Sequence, residues 1–282
     1  MMLFNIDHKI EYEYDRPVFL EPHELHLRPR CDGWQEVSNF RVAIDPHPSG
    51  LSESYDAEGN STMFAWFDES TSRLSINVEI TASTKRLNAF DYLLSDSGIR
   101  VPISYEEWEL ELLAPYLKLS GTVDAEEIIE PFARQIAKEA GNETLAFLNR
   151  LNTWINDSFE KVIREEGPPN PSHVTLKELR GSCRDLACLF MDVSRVVGIA
   201  ARFVSGYHAG DPDNDSKYLH AWAEVYIPGG GWRGYDPSLG LATCDSHLAV
   251  SHGASAGNAA VVSGTFRGTG ASAKMSSSLT IG

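Results

Sequence analysis

The spacing of apolar and polar positions divides the chain into a region of period two followed by a region where helical spacing takes over. Over residues 1–85 the runs Ile10-Glu11-Tyr12-Glu13-Tyr14, Glu24-Leu25-His26-Leu27-Arg28 and Phe40-Arg41-Val42-Ala43-Ile44 alternate. The run Leu74-Ser75-Ile76-Asn77-Val78-Glu79-Ile80 is the clearest of them. Strict alternation places every second side chain on one face, as a half-buried strand requires. Asp56-Ala57-Glu58-Gly59-Asn60 is built of residues that tolerate positive φ and predicts a hairpin turn. Short alternating runs parted by turn signals imply an antiparallel β-sandwich. No cluster of charged or metal-ligating residues stands out in it, so its expected role is structural or substrate-orienting.

Residues 86–140 read as a connector with a helix or two. Pro102 and Pro115 punctuate it, and Ile128, Ile129, Phe132, Ile136 and Ala137 recur at helical spacing. Pro131 lies within that run, so the helix either kinks there or begins there. Over 142–165, Leu145, Leu148, Leu151, Ile155, Phe159 and Val162 predict a strong amphipathic helix, ended by Gly167-Pro168-Pro169-Asn170-Pro171. A second helix is predicted over 182–197, with Leu186, Leu189, Phe190, Val193, Val196 and Val197 on its apolar face and Gly198 as its stop. Strands follow at 201–207, 220–227 and 231–236, with a polar loop at 211–216 between the first two. The Gly-, Ala- and Ser-rich tail from Ser251 still holds strand-like runs at 261–266 and 275–281. The expected division is a sandwich (1–85), a connector (86–140) and a core (141–282) that includes the C-terminal strands, an α+β chain as a whole.

Composition narrows the function classes. With 42% hydrophobic and 23% charged residues among 282, the chain can bury a sizeable core. A formal net charge of −16 disfavours nucleic acid and anionic membranes, which require a basic footprint. No apolar run approaches the roughly 18 residues of a membrane helix, and the first residues show no basic segment followed by an apolar one. The expected location is therefore cytoplasmic, and in that reducing setting Cys31, Cys183, Cys188 and Cys244 are expected to be free thiols.

Chemistry gathers around one of them. In Arg180-Gly181-Ser182-Cys183-Arg184-Asp185-Leu186-Ala187, Ser182 and Asp185 form a capping pair, so Cys183 falls in the first helical turn. The unpaired N–H groups and positive dipole end there favour a thiolate. His220 opens a strand and Asp236 precedes Pro237. A hairpin centred on residue 228 would set Asp236 directly opposite His220, close enough to bond one ring nitrogen and fix the tautomer. The order Cys, His, Asp, with a helix-borne Cys and a strand-borne His, is that of papain-like enzymes.

Other patterns carry less. Asp211-Pro212-Asp213-Asn214-Asp215-Ser216 looks like a calcium loop but has Ser216 where glycine belongs and Trp222 where the closing glutamate belongs. Cys244 and His247 could supply two zinc ligands, but no second close-spaced pair completes the set. Gly229-Gly230-Gly231 is a turn, since no Lys-Ser/Thr follows it. No metal or cofactor is expected, and Cys188 is expected to be a packed thiol inside its helix.

With these motifs in place, the chain resembles the bacterial transglutaminase-like family, whose members are described as cysteine proteases. The resemblance is carried by Gly181-Ser182-Cys183-Arg184-Asp185-Leu186-Ala187, by Gly198-Ile199-Ala200-Ala201-Arg202-Phe203-Val204-Ser205-Gly206-Tyr207, by His220-Ala221-Trp222-Ala223-Glu224-Val225-Tyr226 and by Gly231-Trp232-Arg233-Gly234-Tyr235-Asp236-Pro237. It extends more weakly to the first 85 residues. Ala200 stands where many relatives carry proline, away from the chemistry. The resemblance implies a papain-like, transglutaminase-like core, with Cys183 as nucleophile, His220 as general base and acid, and Asp236 as the orienter of the histidine.

The chemistry so implied is acyl transfer at an amide of a protein or peptide through a thioester. Hydrolysis is the first reading, cross-linking of glutamine side chains to amines the second, and a non-catalytic peptide-binding module the third. The backbone N–H of Cys183 is one oxyanion donor. By residue type alone, Trp154 and Trp222 are candidates for a second donor and for substrate binding. The sequence leaves oligomeric state open.

Overall fold

Alternation at the N-terminus resolves into long paired strands in a computed structural model, which describes residues 1–282 apart from 121, 122, 165 and 211–217. Strand β1 (Met2–Leu20) buries Phe4, Ile6, His8 and Ile10, every second residue. It is followed by β2 (His23–Leu25), β3 (Gln35–Asp45), β4 (Gly50–Tyr55), β5 (Ser61–Trp66) and β6 (Ser70–Thr84). β1 and β6 pair antiparallel with Ile6 opposite Ile80 and Ile10 opposite Ile76, so both apolar stripes share a face. β3 joins the other edge of β6, while β2, β5 and β4 form the second sheet. The β4–β5 turn is the expected one: Gly59 has φ +83, and Asp56 Oδ1 accepts the N–H groups of Glu58 and Asn60.

A 3₁₀ turn (Asp96–Gly98) leads to α1 (Glu107–Leu117) and α2 (Val123–Glu139), which begins before Pro131 and continues past it. Helix α3 (Thr144–Ser158), strand β7 (Glu160–Lys161), helix α4 (Ser172–Glu178) and strand β8 (Arg180–Gly181) precede α5 (Cys183–Val196). Gly198, at φ +79, stops α5 as expected, and no L side chain fits there: a Cβ would meet Pro102 at 2.9 Å. The chain then builds an antiparallel sheet from β9 (Ala201–His208), β10 (His220–Ile227), β11 (Gly231–Asp236), β12 (Leu241–Ala242) and β13 (His247–Gly253), in the order β12-β11-β10-β9-β13. One face of this sheet packs Ala221, Ala223 and Val225 on α5, α2 and α3. Helix α5 is buried from Asp185 to Arg195, and its buried charges are paired: Asp192 accepts from Ser172 Oγ and Ser120 N–H, and Arg195 donates to four oxygens. Among the described residues no helix is long and apolar enough to cross a membrane.

Three expectations need correction. The predicted helix over 142–165 ends at Ser158. Phe159 turns extended (φ −103, ψ 137) and 160–161 pair in parallel with 180–181. Phe159 remains buried against Trp154, so its place in the apolar pattern outlasts the helix. The segment 86–140 is more than a connector, because Ile129, Ala133, Ile136 and Ala137 of α2 enter the helical core. The C-terminal strands β14 (Val262–Ser263), β15 (Phe266–Arg267) and β16 (Ala273–Ile281) do not join the core sheet. β16 lies along β1 from Ile281 opposite Ile6 to Ala273 opposite Tyr14, β15 also pairs β1, and β14 pairs β2. The tail therefore completes the N-terminal sandwich. The loop expected at 211–216 lies outside the described residues.

Candidate active site

Helix α5 begins as its capping pair requires. The carboxylate of Asp185, fully buried, accepts the N–H and the hydroxyl of Ser182 at 2.7 and 2.8 Å. Its other oxygen accepts Arg164 Nη2 at 2.5 Å and Asn170 N–H at 2.6 Å, and so ties the proline-rich loop to the helix start. Arg184 holds the same loop by donating to the carbonyl of Gly167. Cys183 is thereby the first helical residue, half-buried, with the free N–H groups of the first turn beside it. Cys188, one turn on, is buried, and desolvation pushes its thiol up to about 12, as expected of an inert packed cysteine.

His220 meets both expected partners. Its Nε2 donates to Asp236 Oδ2 at 2.5 Å, and the ring hydrogen-bonds the Cys183 side chain. The hairpin that joins β10 to β11 has a different register from the expected one. Ala223 faces Tyr235 and Ile227 faces Gly231, which centres the turn on Gly229 rather than on Pro228. Continued, this pairing sets Asp236 opposite Trp222, two residues from His220. Because side chains alternate with period two, His220 and Trp222 share a face, and the His–Asp contact is made diagonally. Recentring the turn by one residue therefore keeps the pair on one face, where a shift of the pairing by one would separate it. Gly229 holds the centre at φ +83, where a Cβ would also strike Leu93 O at 2.5 Å.

Asp236 is completely buried and saturated with donors. Oδ1 accepts Ser238 N–H, Ser238 Oγ and Leu239 N–H at 3.0, 2.7 and 3.2 Å. Oδ2 accepts a second imidazole as well: His247 Nε2 donates to it at 3.2 Å, while Ser246 Oγ meets His247 Nδ1 at 3.1 Å. Burial would raise this carboxyl, and the two histidines outweigh it and hold Asp236 far below the usual carboxylate range. Burial likewise opposes charge on His220. Asp236 and then Cys183 overcome it, and the imidazole is pushed up to about 10. His247, under the same burial, moves down instead. From sequence, His247 stands out only as a partner of Cys244 in a metal site. Its contact with Asp236 joins strands eleven residues apart in sequence, and no local pattern signals it. The donor atoms of His220, Asp236 and His247 lie within 4.8 Å of one another and could surround an ion. As they stand, both rings spend Nε2 on one carboxylate oxygen.

Cys183 and His220 open into a cleft of about 800 Å³. Its walls are Val162–Arg164 and Pro168–Pro169 on one side, Leu239 and Ala256–Val262 on another, and the sandwich on the third, through Ile10 and Tyr12 of β1 and Met275 of β16. His8 of β1 joins the two halves, bonding Tyr207 Oη at 2.9 Å and Ser277 Oγ at 3.0 Å. Neither Trp154 nor Trp222 is among the described residues lining this cleft. Trp154 packs between Phe132 and Phe159, and Trp222, 1% exposed, lies against His247 on the sheet face away from α5. Tryptophan type alone said nothing of which face each would take.

Residues 4–83 match the model of the bacterial transglutaminase-like N-terminal region, and residues 130–237 that of the transglutaminase-like superfamily. The chain is 25% identical to an uncharacterized protein of Mycobacterium leprae, over 96% of this chain and 95% of that one. It is 24% identical to an uncharacterized protein of Mycobacterium tuberculosis, over 89% and 83%. Among solved structures it is similar to a "Putative Cysteine Protease from Cytophaga hutchinsonii", with a TM-score of 0.72 and 21% identity over 99% of this chain and 90% of that one, a likeness of fold. The two family matches together span two thirds of the sequence and fall on the sandwich and on the segment from α2 to Asp236. The chain belongs to the transglutaminase-like superfamily and carries its bacterial N-terminal region.

Proposed function

We propose that the protein is a cysteine-nucleophile acyltransferase acting on amide bonds of proteins or peptides, with water as its principal acceptor. One observation carries this reading: a thiol in the first turn of a helix bonds an imidazole whose other partner is a buried carboxylate 2.5 Å away. Superfamily membership supports cysteine-based acyl transfer in general.

The His220 ring starts charged, since Asp236 and then Cys183 favour that form against burial. The Cys183 sulfur attacks the amide carbonyl carbon, and the carbonyl oxygen takes the charge of the tetrahedral adduct. The N–H of Cys183, free of an intrahelical acceptor, is positioned to receive that charge. Collapse breaks the C–N bond as His220 passes its proton to the departing amine, which leaves a thioester. His220, now neutral, draws a proton from water. The resulting oxygen attacks the thioester, the C–S bond breaks to free the Cys183 sulfur, and the ring is left charged as it began. Asp236, held by five donors, keeps the ring in one orientation throughout.

The cleft favours hydrolysis over transamidation. A transamidase must keep water from its thioester, and a cleft of about 800 Å³ around Cys183 leaves room for water beside an acyl chain. The test is to incubate the wild-type protein with casein or a glutamine-containing peptide, with and without excess primary amine, and to weigh the products. Cleavage or deamidation by 18O water that persists in excess amine is expected. Complete diversion to amine adducts would make cross-linking the function, and no product in either condition would favour the binding module.

A further inference from the structure

A second cavity, of about 380 Å³, lies on the sheet face that carries His220 and Asp236, further along β10. In a chain of net charge −16 it gathers four guanidinium groups, those of Arg30, Arg86, Arg202 and Arg233. A single carboxylate among the lining residues answers them at close range. Glu224 takes Arg30 in a two-pronged pair at 2.7 and 3.1 Å and Arg202 at 2.6 and 2.7 Å, which uses its acceptor capacity. Arg86 and Arg233 form no ion pair among the described residues. Arg86 lies over the Trp34 ring at 4.5 Å, and Arg233 lies over Tyr92 at 4.1 Å while giving Nε to the carbonyl of Gly230. Asp32 is near Arg86, but its Oδ1 already accepts Trp34 and Gln35 N–H; Asp91, near Arg233, is solvent-exposed.

Three buried N–H donors on this lining lack any protein acceptor: Arg30 Nε, Arg86 Nε and Trp222 Nε1. Trp222 is 1% exposed, so its donor faces either the cavity or nothing. Leaving buried donors unpaired costs about 1–3 kcal/mol each. Burial, and then the neighbouring charge of Arg233, lowers Arg86, and it lowers His252 too, beside Arg202 and Arg30. Surplus positive charge, orphaned donors and a recessed volume coincide at one place.

We propose that this cavity binds a small oxyanion, whether a phosphate, a sulfate or a carboxylate group of a metabolite, gripped by Arg86 and Arg233 with Trp222 Nε1 as a neutral donor. Planar guanidinium forks suit such groups. The cavity shares His247 with the active pair: that residue lines it and bonds Asp236. The site is separate from the Cys183 cleft, and binding is measured without turnover, so it stands or falls independently of the acyl-transfer reading.

The test is isothermal titration of the full chain with sodium phosphate, sodium sulfate and sodium acetate, against sodium chloride at matched ionic strength. Saturable binding of at least one oxyanion is expected, and which one binds tightest identifies the source. Arg86→Gln should weaken it about tenfold or more, the worth of one charge-assisted bond, and Trp222→Phe by less. Arg86→Lys, which keeps the charge and loses the fork, replaces the glutamine variant if that fails to fold, and should also bind more weakly than wild type. Absence of saturable binding of all three anions overturns the proposal, as does binding that Arg86→Gln or Arg86→Lys and Trp222→Phe leave unchanged.

Discussion

The His220–Asp236 pair lies between two cavities made of opposite materials. The cleft at Cys183 is walled largely by apolar side chains from the sandwich, the proline loop and the 256–262 segment, while the second cavity is walled by arginines, tryptophans and one saturated glutamate. A buried histidine kept neutral accompanies each: His8 lines the cleft, and His252 lies behind the second cavity, near its Arg30 and Arg202, both lowered to about 4, chiefly by burial. The difference teaches where charge is wanted. Around Cys183 the arginines of the wall, Arg164 and Arg184, are spent on Asp185 and on the Gly167 carbonyl, whereas the second cavity holds Arg86 and Arg233 with no ion pair among the described residues.

The comparison can be broken most sharply at the thiol. Cys183→Ala should remove all detectable turnover, while Cys188→Ala, on the same helix and buried, should retain turnover and lose stability instead; a product assay beside a thermal melt separates the two. Next comes the orienter. Asp236→Asn should lower kcat by orders of magnitude, with about 10⁴-fold for the corresponding change in a serine protease as a loose guide. Wild-type activity in this variant would sink the role given to Asp236.

A smaller effect is expected from the histidine that touches both the second cavity and the pair. His247→Gln should lower kcat/KM by about tenfold, as one bond to a buried charged group is lost. Its pH–rate profile should shift because Asp236 then restrains His220 less firmly, and a purely structural role would leave that profile in place.

The smallest effect is on stability. His8 and His252 are neutral in the fold and titrate at the ordinary 6.5 when unfolded, so the unfolded chain binds more protons as pH falls. Their contribution is complete above pH 6.5 and is lost between 6.5 and about 4, with a slope of about 1.4 kcal/mol per pH unit for each. His8→Phe should flatten that part of a denaturation series. An unchanged slope would mean that His8 is already charged in the fold. His220 acts in the opposite sense: its ring is raised, so its contribution is present below 6.5 and fades as pH climbs toward about 10.

The parts of this arrangement legible in the sequence were those set by neighbours in the chain. Ser182 and Asp185 announced the start of α5, Gly198 its end, and Ile227-Pro228-Gly229 the hairpin that carries His220 and Asp236. The register escaped by one residue of turn centre, because Pro228 and Gly229 are both plausible turn centres; in the fold Gly229 takes the centre at φ +83, with Leu93 O too close for a Cβ. What stayed hidden depends on distant partners. β16 pairs with β1 across most of the chain, and Arg30 reaches Glu224 across 194 positions. Periodicity marked the tail as strands but could not say whose edge they would cover. His247 looked like half of a metal site because its nearest sequence neighbour of interest was Cys244; in the fold its Nε2 turns to Asp236.

The central claim is that His220 and the start of α5 activate Cys183, and site-resolved alkylation by iodoacetamide tests it most directly. At pH 6.5 Cys183, half-buried, should label faster than the exposed Cys31, and His220→Ala should abolish that advantage while leaving Cys31 unchanged. Labelling of Cys183 no faster than Cys31, or insensitive to His220→Ala, would contradict the account.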